Sequence, residues 1–191
     1  MVPHEGSLIA QRFQPLETVR SGFPIKARDL ASAQTVVLHA VADLDRRLIG
    51  IFHPSVLVIF DIVNHDGRWF AACEFVPSQS LESLLAGMSW HPRRAAEIVA
   101  EVADAAAELH ARGMGHGHLS TATVMVTAKG KAKLSLLSAD TMSDRQADIQ
   151  ALRKLVEDIA GKRFAVIEQT DSAAVLAAVL RAVKNPREEP S

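Results

Sequence analysis

Glu108-Leu-His-Ala-Arg-Gly-Met-Gly-His-Gly-His-Leu-Ser-Thr-Ala-Thr-Val-Met-Val126 is the stretch on which the fold turns. Leu109 closes an apolar run of helical period, and Gly113 suits the position just past a helix end, where a left-handed residue is wanted. A short loop then carries His116 and His118, with His110 just upstream, before the branched residues Thr123, Val124 and Val126 open a strand. The stretch is a helix–loop–strand joint with three histidines gathered around it.

Outward from the joint, residues 92–112 carry Ala95, Ile98, Val99, Val102, Ala106 and Leu109 on one helical face. Glu97, Glu101, Asp104 and Glu108 line the opposite face, read as solvated, and Pro92 suits the first turn. Downstream, two short strands (123–126 and 131–136) hinge at Lys129-Gly130. A helix over 144–160 turns Ile149, Leu152, Val156 and Ile159 inward and stops at Gly161. A last helix over 172–184 uses Val175, Leu176, Val179 and Val183 and ends before Pro186.

The first third of the chain is strand-like instead. Strands are expected at 13–19, 35–41, 56–63 and 69–75, with a hairpin turn at Asn64-His-Asp-Gly67 because Asp-Gly accepts positive φ. Residues 42–51 read as a short helix ending before His53-Pro54. Strands followed by helices give an α+β protein with two lobes, 12–77 β-rich and 78–185 mostly helical, between a flexible N-terminus (1–11) and a tail (186–191).

Composition narrows the function. With 48% hydrophobic and 23% charged residues, the 191-residue chain is globular rather than disordered. A net charge of −1, with signs interspersed, gives no electrostatic footprint for nucleic acid or an anionic membrane. No apolar run approaches the ~20 residues of a membrane helix, and Met1-Val-Pro-His-Glu5 lacks the basic start of a signal peptide. The single cysteine, Cys73, excludes an intrachain disulfide and fits a reducing compartment, so a cytoplasmic location is expected.

Taken in order, these elements resemble the protein kinase-like superfamily, specifically bacterial Ser/Thr kinases, over residues 12–160. Leu16-Glu-Thr-Val19 and Ala27-Arg-Asp29 are similar to the first two kinase strands, Thr35-Val-Val-Leu-His39-Ala-Val41 to the third, and His53-Pro-Ser-Val56 to the turn before the fourth. Cys73-Glu-Phe-Val-Pro-Ser-Gln-Ser-Leu81 is similar to the fifth strand and the hinge that receives adenine. Leu109-His-Ala-Arg-Gly113 resembles the end of the long helix, and Asp148-Ile-Gln-Ala-Leu152 the start of the large lobe's central helix. His116-Gly-His-Leu-Ser-Thr-Ala-Thr123 then falls on the catalytic-loop signature H-R-D-L-x-x-x-N. The resemblance implies a protein kinase-like bilobal fold: a small antiparallel β-sheet N-lobe with a shortened helix after its third strand, and a reduced, mostly helical C-lobe lacking the activation segment.

Phosphoryl transfer in that family uses a glycine-rich turn, a lysine, a catalytic aspartate, and Asn and Asp ligands for magnesium. At the matching positions this chain has Arg20-Ser-Gly-Phe-Pro24, His39, His118, Thr123 and Leu136, with Asp140 four residues past the last. About ten residues join Ser138 to Asp148, where the family has a long segment ending in A-P-E. The resemblance therefore implies a pseudokinase and not an enzyme, with His39, His118, Thr123 and Leu136 as degenerate equivalents and Glu74, Phe75 and Val76 as a vestigial hinge. It gives His116 and Asp148 structural roles, bracing the loop through its backbone, and leaves His118 to fill space.

Other chemistries fit less well. His110, His116 and His118 lack a recognisable zinc spacing, so neither a metal nor another cofactor is expected. Cys73 falls at the position beside the adenine pocket and reads as a small buried hydrophobe rather than a reactive thiol. Ser120 near two histidines has no acid partner or nucleophile elbow. A nucleotidyl transferase on this scaffold would need a carboxylate at the strand ending in Leu136. The expectation is a catalytically inactive protein-interaction or regulatory module, partnered by another protein or a second copy, with the apolar flanks of residues 144–160 covered either by the last helix or by that partner. The alternative is a sensor that binds ATP weakly without phosphotransfer.

Overall fold

The computed structural model describes residues 8–16 and 24–183. The remaining residues include the shortened glycine loop at 20–24 up to Phe23, the end of the expected first strand, and both terminal segments, so those expectations lie outside what is described. The chain forms two compact units, one up to Phe52 and over Leu57–Val76, the other His53–Val56 with the chain from Pro77 onward.

The first unit is built on β1 (Phe13–Pro15), β2 (Ile25–Asp29) and β3 (Thr35–Val41). After the two-residue β4 (Val56–Leu57) come β5 (Ile59–His65) and β6 (Arg68–Glu74), giving an antiparallel sheet in the order β1–β2–β3–β6–β5. Alternation decides its core: Ile25, Ala27, Val36, Leu38, Phe70 and Ala72 point to one face and pack with Ile9 and Phe13. Each large apolar side chain buried there contributes ~1.5–3 kcal/mol relative to exposure. Arg12 ties distant strands together, bidentate on Asp29 (2.7 and 2.8 Å) and bonded to Asp61 of β5 (2.6 Å). The guanidinium bonds, with those from Ser32 and Ala31, outweigh burial and hold the Asp29 carboxyl well below the usual carboxylate range. At the hairpin, Asp66 and Gly67 both take positive φ (51° and 76°), the conformation a two-residue turn with native strand twist requires.

Two first-unit expectations are corrected. The strand over 56–63 is interrupted at Val58, whose N–H donates to the Glu74 carboxylate (2.9 Å) and whose carbonyl accepts from Glu74 N (2.9 Å). Residues 42–51 form only a 3-10 turn, Arg46–Leu48. Asp45 caps it by accepting from Arg47 N (2.8 Å), but Ile49 is already extended and Gly50 has φ +71°. Leu48 is the one buried residue in the turn, too little apolar contact to hold a longer helix.

The second unit holds β7 (Ser78–Ser80), α1 (Leu81–Leu85), α2 (Pro92–Ala111), β8 (Val124–Thr127), β9 (Ala132–Ser135), α3 (Arg145–Ala160) and α4 (Ala173–Ala182). Strand β8 pairs antiparallel with β7 and with β9. Leu134 N donates to Ser55 O (2.7 Å), which brings residues 53–56 beside β9.

Helix α2 is the spine, packed by α3, α4 and β9. Ala96, Ala100, Ala103 and Ala105 are buried as well as the expected apolar stripe, so small residues admit neighbours on more than one side. This corrects the reading of a single solvated face. Glu101 accepts from Ala132 N (2.6 Å) and Lys131 Nζ (2.7 Å), and Asp104 pairs with Arg181 of α4. On α4 the inward set is Ala173, Leu176, Ala177 and Leu180, while Val175 is 46% exposed. On α3, Ile149, Leu152, Leu155, Val156 and Ile159 are all buried, with α2 and α4 packed against the helix. The expected cover for these residues is therefore supplied within the chain. Among the described residues, no helix is long and apolar enough to cross a membrane.

Candidate functional site

The loop between α2 and β8 begins with a Schellman closure: Gly113 N donates to His110 O (3.1 Å) and Met114 N to Leu109 O (3.0 Å). Gly113 has φ +80°, and buried Met114 anchors the exit. The next backbone donors have no helix to bond to, and they are met by Asp148, four residues beyond the Asp144 cap of α3. Its carboxylate accepts from His116 N (2.7 Å) and Gly117 N (2.8 Å), and His110 Nε2 donates to it at 2.9 Å. Burial alone would push this carboxyl up, but the bonds from His110 and the two backbone amides hold it below its ordinary value.

His116 lies wholly inside. Its Nε2 donates to Ser135 O (2.9 Å) and its Nδ1 accepts from His118 N (3.3 Å), so the ring is neutral, and burial lowers its pKa despite the bond to Ser135. The exposed His118 ring donates from Nδ1 to Ser138 O at 2.8 Å. Thr123 Oγ1 lies 3.0 Å from Ser120 O and 3.2 Å from His118 O, sharing its hydrogen between them, and accepts from Ser120 N (3.0 Å). Leu136 is fully buried.

The short segment after β9 lies against the loop. Asp140 N donates to His116 O (2.8 Å), and Gly115 N to Thr141 O (3.3 Å). A Cβ on Gly115 would sit 2.4 Å from Ser143 Oγ, and one on Gly117 would sit 2.9 Å from Ser143 Cβ. Both glycines are required by close approach, and Gly117 also by its φ of +74°.

His116, His118, Thr123 and Asp148 thus meet at one loop, with Leu136 behind it in the core. His39, Glu74, Phe75 and Val76 belong to the first unit. His39, on β3, faces Ala71 in register and is half-buried, which lowers its pKa and leaves it neutral at pH 7. Glu74 is bonded to Val58, Phe75 lies 4.2 Å from Lys26 Nζ through its ring face, and Val76 is half-buried. Burial pushes the Cys73 thiol up to about 12, which keeps it protonated.

Magnesium asks for several oxygen ligands. Thr123 Oγ1 already accepts from Ser120 N and the buried Leu136 side chain carries no oxygen, so these positions supply too few ligands for that ion. Among the described residues, no group of three or more His, Cys, Asp or Glu is placed to hold a metal.

Neither a protein-family model nor a curated protein matches this sequence. Solved structures do. The Mycobacterium tuberculosis PknI kinase domain superposes with a TM-score of 0.75 at 17% identity, covering 95% of this chain and 99% of that one. A double mutant of the same domain gives 0.73 at 18% identity over the same shares. The fold is protein kinase-like. Its β-rich first unit and few-helix second unit are the small and large parts of that fold, with the helix after β3 cut to one turn.

This finding overturns the expectation that the chain is not an enzyme. The matching structures are kinase domains, so the fold this chain shares with them is one that carries phosphotransferases. The substituted positions are departures within that fold, and His118 still presents an open ring nitrogen at the loop. On the sequence, His118 fills space and Thr123 stands in place of a metal-binding asparagine. Their bonds run to Ser138 O and to the loop's own backbone, and no spacing rule announces either.

Proposed function

We propose that the chain is a regulatory module that presents the surface of its kinase-like loop to another protein or to a second copy of itself. The supporting observation is how the loop's polar groups are used. Asp148 and Thr123 bond the loop backbone, His116 bonds Ser135 O, and Leu136 is buried, so these positions fix a shape. A rigid, exposed loop on a packed scaffold is well suited to recognition. Capture on wild-type bait, compared with baits carrying Ser120→Glu or Thr121→Glu, tests this. A bound protein lost with either charge is expected, and sedimentation of the pure protein reports self-association. A monomer that captures nothing overturns the reading. A thermal shift of several degrees with millimolar ATP and magnesium would favour nucleotide sensing in its place.

A further inference from the structure

Tautomer and exposure set one described histidine apart. A carbonyl oxygen only accepts hydrogen bonds, so the imidazole nitrogen facing it carries the hydrogen. At 2.8 Å from Ser138 O, His118 Nδ1 is that nitrogen, and in the neutral ring Nε2 is a bare lone pair. The ring is exposed and no described group bonds Nε2. His53 and His91 are the reverse case: Nδ1 of each accepts a backbone N–H (from Ser55 at 3.1 Å and Arg93 at 3.3 Å), which puts the hydrogen on Nε2. Nε2 of His65 faces Asp66 at 3.7 Å, and Nε2 of His110 faces Asp148 at 2.9 Å. His116 is buried with both nitrogens bonded, and His39 is half-buried. The His118 backbone is also held, donating to His116 Nδ1 and accepting from Thr123 Oγ1.

We propose that His118 Nε2 is a phosphoryl-accepting site, taking the group from a donor whose phosphorus carries a good leaving group, such as a nucleoside triphosphate or phosphoramidate. The Nε2 lone pair forms the N–P bond while the bond from phosphorus to the leaving group breaks, its electron pair departing with the nucleoside diphosphate or ammonia. Nε2 has no proton to lose, so the step needs no base. The positive charge left on the ring is shared through Nδ1–H with Ser138 O, a bond that becomes charge-assisted. Modification recharges the loop surface while keeping the bond that orients the ring. This goes beyond the protein-binding role and does not depend on it.

Full-length protein is incubated separately with phosphoramidate and with ATP plus magnesium, and phosphate that is stable in alkali and lost in mild acid is located by mass spectrometry. His118 is expected to carry at least about fivefold more label than His53, His65 or His91, as its open Nε2 requires. His118→Gln should abolish that label and His91→Gln should leave it. Label from ATP assigns the donor as the nucleoside triphosphate; label from phosphoramidate alone assigns a small donor. Equal labelling of the exposed histidines, or no label on His118 from either donor, overturns the proposal. So does a 15N imidazole spectrum in which neutral His118 carries its hydrogen on Nε2.

Discussion

The loop between α2 and β8 and the segment following β3 both depart from kinase sequence, yet they are built in opposite ways. The loop is bonded on every side: Asp148 beneath, Ser135 and Ser138 behind, Thr123 across its base, and Ser143 seated against two glycines. The segment over 42–52 has one 3-10 turn, one side-chain cap, and Leu48 and Ile51 as its buried anchors. The difference follows from backbone arithmetic. The loop leaves buried amides that must find acceptors, whereas an exposed segment satisfies its amides with water.

The sharpest way to break the contrast is Asp148→Ala, which leaves the buried His116 amide, the Gly117 amide and His110 without their acceptor. It should cost about 3–5 kcal/mol in urea denaturation. Asp148→Asn adds a pH test. The folded-state pKa lies below the ordinary 3.8, so this carboxylate's contribution is fully present above that value and lost as pH falls through the folded one. The gap between wild type and Asp148→Asn should be flat above about pH 4 and narrow below it. A gap that widens in acid would show that Asp148 does not supply it.

Next in size, Gly115→Ala drives a methyl into Ser143 Oγ and carbonyl, and should cost about 2 kcal/mol by the same measurement. Thr123→Val keeps the shape and removes the hydroxyl at the loop's exposed base, for about 1 kcal/mol. The smallest effect belongs to the other region: Asp45→Ala removes the cap of a single exposed 3-10 turn and should cost about 0.5 kcal/mol, the low end for a lost cap. If Asp45→Ala matched Thr123→Val, the two regions would not differ as described.

Sequence alone went furthest where one period dominated. Thr35–Val41 is strand β3 to the residue, and Pro92–Ala111 is the long helix, because branched runs and Pro/Gly punctuation leave few alternatives. It failed where every register was apolar. In Ala173–Ala182 nearly any face reads as buried, and contact with α2 selects the one carrying Ala173 and Ala177 over the one carrying Val175. It failed again where a charge has two uses: nothing in Glu101 announces that Ala132 N, 31 residues away, needs an acceptor. The candidate loop was visible as a glycine-flanked run of histidines. Which ring nitrogen faces which carbonyl is a matter of atoms 19 and 20 residues apart, and no local pattern encodes that.

Cys73 has a practical consequence. It is the chain's one cysteine, enclosed in the sheet with its thiol held protonated, so alkylating dyes should pass it by. The unmodified chain is thus already a silent background for site-specific labelling. Single cysteines placed at exposed Gln34 and Glu168, one in each unit, would let fluorescence energy transfer follow the separation of the two units in solution.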